Sequence, residues 1–132
     1  MTPEQWLAKH YPIPASALSE ASDEECLLHC ENKWSGANEE NLPSGAKYEW
    51  HLIIYDNGDA LEFSADNCAL CAKYHALCKN KDGKACPILR MRGVPCDSHN
   101  KKHINIYEDS LNDPAPMIDL LKRTLEFVRN GG

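Results

Sequence analysis

Asn67-Cys68-Ala69-Leu70-Cys71, followed by Cys78, by Cys86-Pro87 and by Gly93-Val94-Pro95-Cys96, is the stretch on which the reading of this chain turns. It holds five of the seven cysteines. A C-x2-C pair lets both sulfurs reach one ion from a single tight turn, and a soft divalent cation prefers thiolate ligands. The spacing therefore predicts a tetrahedral zinc site built from Cys68, Cys71, Cys86 and Cys96. Cys78 is the surplus sulfur: on a helix shared with Cys71 it would lie two turns away, about 10 Å along the axis, too far for ordinary joint ligation, and it could ligate only after the helix breaks. The competing reading is a set of buried thiols acting as small hydrophobes.

Other metal and redox arrangements have weaker grounds. His99 and His103 form an H-x3-H pair that would close a site with Cys68 and Cys71, but the gap from Cys71 to His99 exceeds ordinary finger length. Two histidines beside Lys101 and Lys102 read more readily as solvated. A thioredoxin-like use of Cys68 and Cys71 lacks the preceding βαβ pattern. His29, His51 and His75 have no spacing argument and are read as packed or exposed residues.

The cysteine segment is also the basic one. Residues 1–67 carry three basic side chains against thirteen acidic ones, a net −10. Residues 68–103 carry Lys73, Lys79, Lys81, Lys84, Arg90, Arg92, Lys101 and Lys102 against Asp82 and Asp97, a net +6. Four thiolates with one zinc ion bring that module to about +4. The whole chain stands at −6, which argues against strong non-specific DNA binding.

At 132 residues the chain is long enough for one domain with its own core, so zinc would brace part of the fold rather than replace it. The expected organisation is a single domain over 1–132 with a basic, cysteine-rich module at 66–103. No apolar run reaches transmembrane length, and Met1 to Trp6 lacks the basic start and apolar stretch of a secretory signal. A cytoplasmic protein without a membrane partner is expected, with reduced cysteines; a secreted chain whose signal has been removed is the alternative.

Thr2-Pro3-Glu4-Gln5 predicts a capped helix through Trp6 to His10, ended by Tyr11-Pro12-Ile13-Pro14. Ser22 and Glu25 open a second helix that places Cys26, Leu27, Cys30 and Trp34 on one buried side, with Gly36 as its stop. Cys26 and Cys30 are thereby read as core packing ahead of a metal or redox pair. Asn38 to Lys47 reads as loop. Tyr48 to Tyr55 reads as a strand that pairs with Ala60 to Phe63 through Asp56-Asn57-Gly58-Asp59. Leu70, Tyr74 and Leu77 mark a helix carrying the C-x2-C pair, and Ile104 to Tyr107 has strand character. Asp113-Pro114 then leads a helix with Met117, Leu120, Leu121, Thr124 and Val128 on one face. The sum is an α+β fold with a small antiparallel sheet, packed helices and a cysteine-rich zinc knuckle.

Trp6 with Tyr11-Pro12-Ile13-Pro14-Ala15, Lys33-Trp34-Ser35-Gly36, Asn67-Cys68-Ala69-Leu70-Cys71 through Tyr74 to Cys86-Pro87, and Gly93-Val94-Pro95-Cys96-Asp97 together resemble small cysteine-rich proteins encoded by tailed bacteriophages and prophages. The resemblance spans most of the chain; Cys78, eight positions before Cys86, departs from its C-x2-C-P spacing. It implies an accessory product of the host cytoplasm that binds a host or defence protein, and carries no activity with it. Cys96-Asp97-Ser98-His99-Asn100-Lys101 also resembles the closing part of a metal-braced ββα nuclease, but the Asp-His pair such an enzyme needs is missing before it.

Three functions follow from these features. The first is a zinc-stabilised, non-enzymatic interaction protein, because no acid, base or nucleophile constellation is evident. The second is nucleic-acid binding through Lys79, Lys81, Lys84, Arg90, Arg92, Lys101 and Lys102, with Tyr74 or Tyr107 to stack on bases. The third is a metal-dependent nuclease.

Overall fold

The computed structural model describes residues 2–64, 67–74, 79, 83–97 and 104–132. Helix α1, Pro3–His10, starts as its sequence requires: the Thr2 side chain accepts from the Gln5 N–H and the Gln5 side chain accepts from the Thr2 N–H. A 3-10 turn at Ala15–Leu18 leads into α2, Asp23–Ser35, where Ser22 Oγ accepts from the Glu25 N–H. Both helices bury the predicted faces, with Trp6, Cys26, Leu27, Cys30 and Trp34 inside.

Gly36 ends α2 in an ordinary right-handed conformation, so its lack of a side chain serves packing rather than backbone freedom. A Cβ there would lie 2.5 Å from Trp6 Cζ2 and 2.7 Å from His10 Cγ. That close approach lets Trp6 Nε1 donate to the Gly36 carbonyl at 2.9 Å, which gives the fully buried indole the partner its N–H needs.

The sheet is three-stranded and antiparallel in the order β1-β2-β3, with β1 Lys47–Glu49, β2 Leu52–Ile54 and β3 Ala60–Glu62. The predicted hairpin around Asn57-Gly58 joins β2 to β3. The single strand expected over Tyr48–Tyr55 is instead two strands, because the chain reverses at Trp50-His51 with Glu49 opposite Leu52. Both turn residues are left-handed, with φ of 55° and 60°, the geometry of a two-residue hairpin loop normally supplied by asparagine and glycine. Contacts distant in sequence hold it: Trp50 N–H donates to Asn112 Oδ1 at 3.0 Å and His51 N–H to the Leu111 carbonyl at 2.9 Å. The His51 ring stacks on Tyr107 at 3.9 Å.

Across the sheet, Tyr48, Ile53 and Leu61 share one row, and this face meets the core. Trp34 from α2 stands edge-on to Phe63 at 4.9 Å and faces Tyr48, His51 and Tyr107 at 6.3–6.4 Å. Such pairs contribute about 0.5–1.5 kcal/mol each beyond their buried area.

Three short helices follow: α3, Ala69–Tyr74; α4, Pro87–Arg92; and α5, Ile106–Asp109. Helix α4 lies in a stretch with no strong apolar period and is marked by proline at its start and a left-handed Gly93 at its end. Ile104 to Tyr107, expected as a strand, belongs in part to α5, since Asn105 Oδ1 accepts from the Glu108 N–H at 2.9 Å and so nucleates a helical turn. Helix α6, Ala115–Arg129, buries Met117, Leu120, Leu121, Thr124 and Leu125 against α2. The class is α+β as expected, and among the described residues no helix is long and apolar enough to cross a membrane.

Candidate metal centre

Four segments bring cysteines to the lining of two cavities, with Cys30 and Cys86 buried and Cys68, Cys71 and Cys96 partly exposed. Cys30 comes from the buried face of α2, Cys68 and Cys71 from the start of α3, Cys86 from the residue before α4, and Cys96 from the turn after it. Cys68, Cys71, Cys86 and Cys96, the predicted ligands, all border one small cavity of about 30 Å³. Cys30, Cys68, Cys71 and Cys96 border a second, of about 200 Å³, walled by Trp34, Phe63, Leu70, Ile88, Met117 and Leu121. Three sulfurs are thus common to both. Among the described residues, no three side chains of His, Cys, Asp or Glu are drawn together closely enough to hold an ion jointly. The sulfurs meet in pairs instead. Their chemistry suits zinc, which takes thiolates at about 2.3 Å.

The Cys30 and Cys68 sulfurs lie 3.8 Å apart, and both cysteines are free thiols. Hydrogen bonds from Cys30 and Cys71 hold Cys68 well below the ordinary thiol range, against the opposing effect of burial. The same hydrogen bonds, with burial, push Cys30 and Cys71 upward. Lys33, one helical turn beyond Cys30, is 1% exposed and lines the same cavity. Its ammonium donates to the Asn67 carbonyl at 2.6 Å and to Asn67 Oδ1 at 3.1 Å, and sits 5.2 Å from the Phe63 ring centroid. A buried cation held by neutral oxygens favours thiolate over thiol nearby, and it lowers both Cys30 and Cys68 electrostatically.

Helical spacing assigns Cys26 and Cys30 alike to core packing. Cys26 fulfils this: it is fully buried, its sulfur donates to the Leu18 carbonyl at 3.5 Å, and burial pushes its thiol up to about 11. Cys30 is equally buried but faces the cysteine centre. Helical periodicity identified the inward face of α2 without identifying what that face meets.

The basic residues divide sharply. Arg92 is buried, and its guanidinium donates to the Pro95 carbonyl at 3.1 Å and to the Ile104 carbonyl. Arg90 donates to the Ala85 carbonyl at 2.7 Å and pairs with Asp23 at 3.1 Å. These two proposed nucleic-acid contacts serve the fold. Lys79 and Lys84 are exposed. Lys81, Lys101 and Lys102, like Cys78, His75, His99 and His103, lie outside the described residues. Tyr74 is buried and gives its hydroxyl to Asp23, and Tyr107 gives its hydroxyl to the Phe63 carbonyl while one face of its ring is stacked on His51. His29 is buried with Nε2 on the Ile13 carbonyl at 2.8 Å, and His51 places Nε2 at 2.6 Å from the Tyr107 carbonyl, which is ordinary packing for both.

Comparison with protein-family models, with curated proteins and with solved structures finds no match to this chain.

Proposed function

We propose that this chain is a zinc-stabilised, non-enzymatic phage accessory protein that works by binding a host or defence protein. The observation that carries the reading is that cysteines from separate segments border shared cavities beneath a wall of apolar side chains. An ion held there would tie α3 and the turn after α4 to the rest of the core. A site closed by protein sulfurs has no open coordination position for a substrate or a reactive water, which is the character of a structural zinc rather than a catalytic one. For a partner, the surface offers Trp50, 67% exposed on its strained turn. Large aromatic residues are the commonest energetic anchors of interfaces, and strained backbone is retained where surrounding structure over-determines it.

Nucleic-acid binding ranks behind this reading because Arg92 is buried and Arg90, though exposed, is paired with Asp23. A nuclease ranks lower still, because the sequence lacks the Asp-His pair that a metal-braced ββα nuclease needs before its closing segment.

The test is purification of the tagged chain from phage-infected cells and identification of stoichiometric host proteins, followed by direct binding to the purified candidate. Trp50→Ala should weaken that complex at least tenfold, while Lys79→Gln, Lys81→Gln and Lys84→Gln together should reveal no lost DNA or RNA affinity. Micromolar DNA or RNA binding at physiological salt, abolished by the triple change, would overturn the proposal.

A further inference from the structure

Resting on the zinc reading above, we infer that Cys30 of α2, rather than Cys86, is the fourth ligand beside Cys68, Cys71 and Cys96. Four thiolates at about 2.3 Å from a tetrahedral ion are separated along each edge by about 3.8 Å. The Cys30 and Cys68 sulfurs are 3.8 Å apart across 38 residues of chain, the edge such a site requires. Cys30 also shares the larger cavity with Cys68, Cys71 and Cys96, whereas Cys86 lines only the smaller one. No three of these side chains close on a common point in this structure, so binding requires Cys71 and Cys96 to turn onto the ion about their single side-chain torsion, which has three staggered positions.

The charge arrangement agrees. Four thiolates and one divalent ion leave a net −2 in the core. Lys33 brings a buried positive charge to the Cys30 side of the centre, and among the described residues no carboxylate pairs with it. An ammonium at that depth is costly without a counter-charge, and a zinc-thiolate cluster supplies one. The consequence for the fold is direct: α2, the helix that packs on α6 and on α3, becomes covalently linked through metal to the cysteine module instead of merely resting against it.

The test uses the wild-type full-length chain with cadmium-113 exchanged for zinc, a soft ion that accepts the same thiolates. Proton–cadmium correlation spectra identify each ligand cysteine by coupling to its β-protons, without any mutation that risks misfolding. Coupling to Cys30, Cys68, Cys71 and Cys96 is expected. Coupling to Cys86 or Cys78 with none to Cys30 overturns this inference and leaves the zinc reading intact. A chain that folds and binds neither zinc nor cadmium overturns both. As a second measure, Cys30→Ser should weaken zinc binding at least tenfold while Cys86→Ser leaves it unchanged; equal losses in the two variants would count against Cys30.

Discussion

Replacing Asp23 by asparagine removes the charge at the point where three helices are fastened together. Asp23 occupies the first position of α2, and its carboxylate accepts from Lys73 Nζ of α3 at 3.0 Å, from the Tyr74 hydroxyl of α3 and from Arg90 Nη2 of α4 at 3.1 Å. A hydrogen bond to a charged group contributes about 1.5–3 kcal/mol when buried. The side chains here are 19–29% exposed, so solvent screening reduces each ion pair well below that ceiling. The negative charge at the helix start adds about 0.3–1 kcal/mol. Asparagine keeps one oxygen for the Tyr74 hydroxyl, and the expected loss is about 2–3 kcal/mol in urea unfolding at pH 7 with an unchanged m-value. Burial acts to raise the Asp23 carboxyl, but the hydrogen bonds from Tyr74, Lys73 and Arg90 prevail and hold it below 3.8. A folded-state value depressed in this way stabilises the protein above the ordinary carboxylate range, and the stabilisation is lost as pH falls through the folded value. The wild-type and Asp23→Asn stabilities should therefore converge in acid, below pH 3.8. A difference under about 0.5 kcal/mol at neutral pH, the size of an ordinary surface change, or a gap that persists in acid, would refute the assignment of Asp23 as a charged tie.

Gly36→Ala should cost about 1–3 kcal/mol by thermal or urea unfolding, because its methyl would meet the immobile Trp6 ring at 2.5 Å; a neutral effect would show that the α1–α2 contact is looser than described. Trp50→Asn should raise stability by about 1 kcal/mol, since asparagine tolerates the left-handed conformation and a side chain 67% exposed gives up little burial. Destabilisation by this change would mean that the indole holds the turn. Cys26→Ala should cost about 1 kcal/mol in unfolding free energy and leave bound metal unchanged, because its sulfur contacts the Leu18 carbonyl and not the centre.

What the sequence made legible was local. The caps at Thr2 and Ser22, the apolar period of α6 and the Asn57-Gly58 turn are set by neighbouring residues, and each element formed where those residues required it. The reversal at Trp50-His51 was illegible because neither residue favours a left-handed backbone; Asn112 and Leu111, some sixty positions away, hold it. Ile104 to Tyr107 alternates like a strand over too few residues to outweigh the Asn105 cap. At the centre, the C-x2-C spacing and the downstream cysteines were readable as neighbours, and Cys68, Cys71, Cys86 and Cys96 line one cavity, although no three described ligand-type side chains close on one point. The approach of Cys30 was hidden because periodicity assigns a residue to a core without naming its neighbour across 38 positions. The basic run misled for a related reason: Arg90 and Arg92 carry charges that count toward a surface in sequence but hydrogen-bond within the fold.

The central claim is that a thiolate-bound zinc braces this core, and elemental analysis of protein purified without added metal tests it most directly. The account predicts one zinc per folded chain, lost together with much of the thermal stability in Cys71→Ser and on removal by a strong chelator. A metal-free chain that is monodisperse, cooperatively folded and indifferent to zinc would contradict it.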